Sequence, residues 1–258
     1  MRLVVHTSLV LVSLIYGTTF VVAKEVMPDY LGPFGFIWVR VLTALALLAA
    51  VHYCFVGEKI QHRRDYGRLA LCGFFGSAAN MMMFFQGLAY TSPINASLIM
   101  TATPVIVLVV AAMLLGDRIT WQKALGILMG ATGAIYLILN APHQNAEIAS
   151  SAWSWLGDLL VLLNAASYAT YLVLVKPLMQ RYNPLTVVKW SFSFGLLYIS
   201  PLGIPQVAAA DWAAMPLSIY GTIAFVAVGT TFLAYLINAW ALRYVSSAVV
   251  GSYIYLQP

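Results

Sequence analysis

Charged residues are scarce in this sequence: Asp, Glu, Lys and Arg make up only 8% of its 258 residues, whereas 62% are hydrophobic. Ordinary soluble domains have about 25% charged and about 45–50% apolar residues. The composition therefore excludes a typical soluble globular protein. Cysteine is also rare, and because Cys54 and Cys72 show no metal-ligand spacing, we expect two free thiols and no metal site.

Motifs of enzymes and of ATP-driven pumps are absent as well. The sequence has no GxxxxGK[ST] loop, no HExxH or GxSxG motif, and no paired aspartates inside its apolar runs. We therefore expect neither an enzyme nor a bound cofactor. The net charge of +5 is spread over alternate loops, so it predicts membrane orientation and not nucleic-acid binding.

The sequence is rich in apolar runs long enough to cross a bilayer, which takes about 20 residues of helix. These runs lie near residues 6–25, 34–54, 68–89, 94–115, 121–140, 156–175, 186–205, 217–239 and 245–258. The first run has some features of a cleavable signal peptide, but its counterpart at Leu159–Lys176 favours a retained helix. The chain is therefore predicted to be an all-α polytopic membrane protein whose last run is incomplete.

Basic residues orient the chain, because Lys and Arg accumulate in cytoplasmic loops. With the N-terminus inside, only Lys24 and Arg40 fall toward the outer side. We therefore expect an integral protein of the plasma (inner) membrane with a cytoplasmic N-terminus. The basic residues on the cytoplasmic side are Arg2, Lys59, Arg63, Arg64, Arg68, Arg118, Lys123, Lys176, Arg181, Lys189 and Arg243.

The sequence contains an internal repeat at about half its length. Residues 87–104 and 241–258 align without a gap, and an offset two residues shorter aligns parts of the first and sixth runs. Such repeats recur in membrane transporters, and five spans per half invert the second half relative to the first. The matched pairs are Leu88 and Leu242, Tyr90 and Tyr244, Ser92 and Ser246, Pro104 and Pro258, Lys24 and Lys176, and Thr18 and Thr170.

The repeat divides the chain into a first five-helix half (1–140), an external linker (141–155) and a second half (156–258). In the first half, the apolar run that contains Pro104 continues to Leu115 and is followed by another, whereas the second half stops at Pro258. We therefore expect an inverted repeat of two five-helix halves. Ten transmembrane helices are expected in all, with this chain ending within the ninth.

Short motifs mark both copies of the repeat. They are Tyr16-Gly-Thr-Thr-Phe20, Lys24, Pro33, Arg40, Ala89-Tyr-Thr-Ser92, Pro104, Leu115-Gly-Asp-Arg-Ile-Thr120, Gly126 and Gly133, then Gly157-Asp158, Tyr168-Ala-Thr-Tyr171 and Leu256-Gln-Pro258. Together they resemble the EamA-type domain of the drug/metabolite transporter superfamily. Tyr16 stands where that domain usually has tryptophan, and Asp117 where it usually has glutamate. The resemblance implies ten helices in two inverted halves, a substrate path between the halves, and export of amino acids or other small metabolites.

Polar side chains near the middle of the predicted spans are the candidate substrate-binding residues. Such groups are costly in a bilayer unless they face a cavity or a partner, and amide and phenol groups suit a zwitterionic or hydroxylated solute. Asn164, Tyr168 and Tyr171 share one helix face through their i,i+4 and i,i+3 spacing. The alternative is that these groups hold helices together. The candidates are Tyr16, Thr18, Asn80, Asn164, Tyr168 and Tyr171.

Two prolines and one arginine are further candidates. Pro104 and Pro258 occupy matching positions and lack an amide donor, so we expect paired helix breaks with a role in gating; a static kink is the alternative for each. Arg40 either attracts a substrate carboxylate or snorkels outward to pair with Glu25 or Asp29.

Small residues on the fifth run indicate close helix packing. Gly126, Gly130 and Gly133 lie on one face, and the contact they make is either within the half or a homodimer interface. The predicted partners are a small-molecule solute, the lipid bilayer and, if the glycine face is a dimer interface, a second copy of the chain; no nucleic acid is expected.

The function that these residues favour is a secondary transporter or facilitator that exports small polar metabolites, with amino acids the first expectation, by alternating access between the halves. Small multidrug exporters of the resembled superfamily have a glutamate in the first span, where this chain has Ser13-Leu-Ile-Tyr16, which argues against export of cationic drugs. A nucleotide-sugar or other organic-anion exchanger is an alternative that calls for more basic groups than Arg40. A non-transporting membrane sensor on the same fold is another.

Overall fold

The computed structural model of the protein describes residues 2–27, 29–115, 120–122, 124–126, 128–129, 132, 136 and 154–256. Within these residues, seven helices are long and apolar enough to cross a membrane, and an eighth is shorter. No strand occurs among them. The helices are α1 (Arg2–Val26), α2 (Pro33–Phe55), α3 (Arg63–Tyr90), α4 (Pro93–Met100 and Thr103–Leu115), α5 (Ser154–Arg181), α6 (Pro184–Ala209), α7 (Leu217–Ala241) and α8 (Ser247–Leu256).

These helices confirm the prediction of an all-helical polytopic membrane protein. The eight described helices overlap eight of the nine predicted runs, including the run at 217–239, which has become α7. Most of the remaining run, 121–140, lies outside the described residues, as do Pro258 and most of the linker 141–155. The arrangement of ten helices in two inverted halves therefore stays a prediction.

Local sequence explains where several helices begin. Pro33, Pro93 and Pro184 each occupy the first turn of a helix, where proline costs no hydrogen bond because the first amides have no helical partner. Side-chain caps add to this: the Ser92 hydroxyl accepts from the Asn95 amide at 3.1 Å, and Asn183 Oδ1 accepts from the Leu185 amide at 3.0 Å. Each cap satisfies one of the free amides.

The internal repeat is visible in local backbone structure. Ser246 caps α8 through the Val249 amide at 3.3 Å, in the position that Ser92 occupies at the start of α4. Both α3 and α7 contain a π-helical segment, Phe74–Ala78 in α3 and Val226–Leu233 in α7. The offset that relates the two serines places the first segment inside the second. The two copies thus share their caps and their helix irregularities.

The break predicted in α4 lies just before Pro104. The first segment of α4 ends at Met100, and the next two residues, Thr101 and Ala102, form a turn. The second segment begins at Thr103 and has Pro104 in its first turn. The Thr101 and Ala102 amides bond three residues back, to Leu98 and Ile99, which tightens the helix end. In α8 the α-helix changes to a 3-10 helix over Tyr253–Leu256, so both copies leave regular α-helix near the same point.

Two of the helix pairs along which the first and second halves meet are α3 with α5 and α2 with α6. Helix α3 approaches α5 so closely that a Cβ added at Gly87 would lie 2.9 Å from the Gly157 carbonyl oxygen, the kind of contact that small residues permit in membranes. Helix α2 lies along α6, where the Gly35 amide donates to Gln206 Oε1 at 2.8 Å and the Trp38 indole donates to Ser200 Oγ at 3.1 Å.

A group of polar contacts, here called the polar junction, joins the start of α3 to the end of α5. It lies on the side of the protein where α1 begins. The Tyr182 hydroxyl donates to the buried Asp65 carboxylate at 2.8 Å, and Arg181 pairs with the same carboxylate at 3.4 Å. Arg243 donates to the Met179 and Tyr182 carbonyls at 3.0 and 2.8 Å. Burial and the bond to Asp65 raise the pKa of Tyr182 above its usual value.

Candidate functional site

A cavity of about 70 Å³ lies between helices of both halves. It is about half the size of an engineered 150 Å³ cavity that binds benzene, so it suits a small solute. Its lining combines polar residues with a majority of apolar and aromatic ones, as in many small-molecule sites. The lining residues are Tyr16, Thr19, Phe20, Arg40, Asn80, Met81, Phe84, Phe85, Met100, Asn164, Tyr168, Thr230, Tyr235 and Ile254.

Five of the residues singled out from the sequence come together in this lining: Tyr16, Arg40, Asn80, Asn164 and Tyr168. They come from α1, α2, α3 and α5, and therefore from both halves of the repeat. Tyr16 and Tyr168 correspond to each other under the offset that also relates the first and sixth predicted runs. The cavity thus receives one tyrosine from each copy.

Thr18 and Tyr171 do not line the cavity. The Thr18 side chain is exposed and donates to the Ile15 carbonyl of its own helix at 2.8 Å. Successive residues turn by about 100° around a helix, and it is Thr19 that faces inward. Tyr171 is buried behind the lining, with its ring 6.1 Å from the ring of Tyr168 and 6.1 Å from that of Tyr235.

Asn80 and Asn164 join α3 to α5 and line the cavity at the same time. Asn164 Nδ2 donates to the Asn80 carbonyl at 2.8 Å, and Asn80 Nδ2 donates to the Asn164 carbonyl at 3.4 Å. Asn80 Oδ1 also accepts from the Tyr235 hydroxyl at 3.3 Å. Asn164 Oδ1 is buried and accepts no hydrogen bond from the described residues. The two interpretations of these asparagines, helix contact and cavity lining, therefore both describe their positions.

Arg40 is the charged residue of the lining. Its side chain is 2% exposed, and its Nε donates to Thr231 Oγ1 at 2.7 Å. Its guanidinium carbon lies 4.7 Å from the centre of the Phe85 ring, within the range of a cation–π contact. Among the described residues, the ion pair found is the one that joins Arg181 to Asp65. Arg40 thus points inward, has no carboxylate partner within the described part of the chain, and does not pair with Glu25 or Asp29.

Three polar atoms of the lining have no hydrogen-bond partner among the described residues: the Tyr16 hydroxyl, Arg40 Nη1 and Asn164 Oδ1. Buried polar atoms are nearly always paired, so unpaired ones that converge on one cavity indicate a polar ligand or ordered water. Arg40 Nη1 can only donate, Asn164 Oδ1 can only accept, and the Tyr16 hydroxyl can do both. This set is complementary to a solute that carries both a carboxylate and an amine.

The apolar part of the lining is aromatic on one side. Phe84 packs edge-on against Phe20 and Phe85, with ring centres 5.2 and 4.9 Å apart. Met100 lies next to the break in α4, and Ile254 lies in the 3-10 turn of α8. These two correspond under the repeat offset, so each copy brings an apolar side chain from its irregular helix to the cavity.

Several polar residues of the site were not expected from the sequence, and three of them belong to α7. Thr230 bonds Thr19 across the halves at 2.8 Å, Thr231 holds Arg40, and Tyr235 donates to the Gly76 carbonyl at 2.7 Å. Asn80 was predicted from the sequence because it is a polar residue in the middle of an apolar run. The same criterion would have identified these residues of α7.

The described part of the chain contains no cluster of three or more His, Cys, Asp or Glu residues that could hold a metal ion. Of the three glycines predicted to form a packing face, only Gly126 is described, and a Cβ added there would meet nothing within 4 Å. A homodimer contact at this face stays a prediction.

Membrane-crossing helices around a small internal cavity with unpaired polar groups define an integral membrane protein with a site for a small solute. The EamA-like transporter family model matches residues 4–139 and 155–258, and the chain belongs to this family. Both copies of the repeat fall within the match. A transporter role follows from the family.

Individual relatives agree with this assignment. The chain is 27% identical to the uncharacterized transporter YyaM of Bacillus subtilis (strain 168), over 87% of this chain and 72% of the relative. It is 26% identical to the probable terminal-alkyne amino-acid exporter of Streptantibioticus cattleyicolor, over 84% and 70%. A crystal structure at 15% identity matches the whole chain and 85% of its own length with a TM-score of 0.73, which shows a shared fold.

Proposed function

We propose that the protein is a secondary transporter that exports small amino acids by alternating access between its two halves. The observation that carries this proposal is that Tyr16, Arg40 and Asn164 line one cavity and that the Tyr16 hydroxyl, Arg40 Nη1 and Asn164 Oδ1 are buried without a hydrogen-bond partner among the described residues. Arg40 and Tyr16 would bind the carboxylate, and Asn164 Oδ1 would accept from the ammonium group. The amino-acid exporter among the relatives is in line with this proposal.

The cavity lies between helices of both halves, where an alternating-access transporter places its site. A rocking motion of one half against the other exposes such a site to either side in turn. The irregular segments at Met100–Thr103 and Tyr253–Leu256 border the cavity and would take up the change in backbone angles, as hinges do. In this mechanism Pro104 shapes the break in α4.

A second candidate solute is a small organic monoanion without an amine. Arg40 is the charged residue of the described lining, and the described lining contains no carboxylate to attract an ammonium group. A monocarboxylate would neutralise this charge by itself. A nucleotide sugar is disfavoured, because it is far larger than a cavity of about 70 Å³.

The test uses purified protein in liposomes loaded with one solute at a time: L-alanine, L-alaninamide or propionate. L-Alanine has the carboxylate and the amine, and each of the others lacks one of them. Export of small amino acids predicts the fastest flux for L-alanine. Faster flux of propionate would assign the protein to organic anions, and no flux of any of them would favour the non-transporting sensor.

The matched variants for this test are Asn164→Ala and Ser246→Ala. Asn164 lines the cavity, whereas Ser246 caps α8 outside it. We expect Asn164→Ala to reduce L-alanine flux about tenfold or more, since an unmade bond to a charged group costs about 1.5–3 kcal/mol. Ser246→Ala is expected to lower stability but leave the preference among the three solutes unchanged. An Asn164→Ala protein with native flux would remove this residue from the site.

A further inference from the structure

The guanidinium of Arg40 is held on one side by a threonine of the other half. Arg40 Nε donates to Thr231 Oγ1 at 2.7 Å, and the group lies over the ring of Phe85. Arg40 is one of the residues that line the cavity, and its Nη1 is buried without a hydrogen-bond partner among the described residues. The protein thus contacts the guanidinium at Nε and over one face, and the hydrogen-bonding capacity of Nη1 is left for a ligand.

The orientation of the Thr231 hydroxyl is itself fixed. This side chain is fully buried, and its hydroxyl donates to the Val226 carbonyl at 3.0 Å. Because its proton is used in that bond, its lone pairs are the part that faces Arg40 Nε. The carbonyl belongs to the π-helical segment Val226–Leu233, and such segments are frequent at functional sites.

We propose that Thr231 is a positioning residue that sets the transporter's affinity for solutes with a carboxylate. Arginine side chains have many rotamers, and holding this one in place removes the entropy loss from the binding step. The bond to Nε fixes the orientation of the guanidinium, and in this proposal Nη1 of that fixed group donates to the bound carboxylate. This inference rests on the proposed function, since it needs Arg40 to be the carboxylate-binding group.

A buried serine outside the cavity provides the matched control. The Ser167 hydroxyl also makes a hydrogen bond between the halves, to the Phe75 carbonyl at 2.7 Å. Ser167 is not among the residues that line the cavity, and within the described part of the chain it makes no hydrogen bond to Arg40. Loss of its hydroxyl removes a contact between helices without releasing the guanidinium.

The experiment measures the half-saturation concentrations of L-alanine and L-alaninamide in liposomes for the native protein and for Thr231→Val, Thr231→Ser and Ser167→Ala. The native protein is expected to prefer L-alanine. In Thr231→Val, we expect the half-saturation concentration for L-alanine to rise about 10- to 100-fold, as for a lost bond to a charged group. The value for L-alaninamide and the maximal rate are expected to change little.

The Thr231→Ser variant and the Ser167→Ala control decide the interpretation. Thr231→Ser keeps the hydroxyl and is expected to restore L-alanine affinity to within about threefold of native, while Ser167→Ala is expected to keep the native preference. If Thr231→Val retains the native preference, or if Ser167→Ala loses it equally, the positioning role is refuted and the proposed function stands. If the native protein itself does not prefer L-alanine, the carboxylate site at Arg40 is refuted, and the role of Thr231 with it.

Discussion

Replacement of Arg40 by methionine should separate solute binding from stability. The guanidinium is 2% exposed and is not paired with a carboxylate among the described residues. Burying a charge costs several kcal/mol. The bond to Thr231 offsets about 1.5–3 kcal/mol of this cost, and the contact with Phe85 offsets about 0.5–2 kcal/mol. When no ligand is bound, the sum of these terms makes the contribution of Arg40 to the free energy of folding zero or unfavourable.

We therefore expect Arg40→Met to unfold at a higher temperature than the native protein when no solute is present, by the equivalent of about 1–2 kcal/mol. The same variant should bind L-alanine about 10- to 100-fold more weakly, or not measurably. Thermal unfolding of the purified protein in detergent, with and without L-alanine, measures both effects. L-Alanine should stabilise the native protein and leave the variant unchanged, because a ligand stabilises only a state that binds it.

Arg243→Met is the control for Arg40→Met. Arg243 makes two hydrogen bonds to backbone carbonyls outside the cavity, at 3.0 and 2.8 Å. Its replacement should lower the unfolding temperature and leave the stabilisation by L-alanine intact. A lowered unfolding temperature for Arg40→Met, together with undiminished stabilisation by L-alanine, would refute the reasoning, because Arg40 would then be a structural contact.

Three further predictions test the packing, the polar junction and the cavity. Gly87→Ala should destabilise the protein by about 1–3 kcal/mol in thermal unfolding, because its Cβ would lie 2.9 Å from a carbonyl oxygen of α5, whereas Gly126→Ala, with open space around it, should not. The raised pKa of Tyr182 means that this tyrosine ionises first in the unfolded state, so its contribution to stability is complete below about pH 10 and is lost as the pH rises above it; Tyr182→Phe should remove this part of the loss of stability at high pH, and an unchanged pH profile of unfolding would contradict it. Met100→Ala should enlarge the cavity, so that L-leucine competes with L-alanine better than it does in the native protein; unaltered competition would place Met100 outside the solute's reach.

Most of the fold was predictable because lipid imposes simple rules on sequence. A helix must be about 20 residues long and apolar to cross a bilayer, and the run at 34–54 accordingly became Pro33–Phe55. The π-helical segments at Phe74–Ala78 and Val226–Leu233 were not predictable. They depend on tertiary bonds, such as the one from Tyr235 to the Gly76 carbonyl, and such bonds leave no periodic pattern.

The sequence predicted that polar side chains in the middle of the spans would form the candidate site, but it identified only some of the residues that line the cavity. Depth along a span identified Asn80 and Asn164, since polar groups in mid-membrane need a cavity or a partner. Depth alone did not distinguish Thr18 from Thr19, because neighbouring residues at the same depth point in different directions around the helix. The side on which Thr19 lies is set by its contact with Thr230 of the other half, and that pairing follows from tertiary packing.

The unpaired state of Arg40 links solute binding to the contact between the halves. Its guanidinium comes from α2, and the threonine that holds it comes from α7 of the other half. A carboxylate bound at Nη1 would neutralise a charge that is costly to bury, and would therefore stabilise the closed contact of α2 with α7 relative to any conformation that separates them. A ligand shifts a conformational equilibrium only by its differential affinity for the two states. In the proposed mechanism, that difference arises because the carboxylate site is complete only while Thr231 holds Arg40.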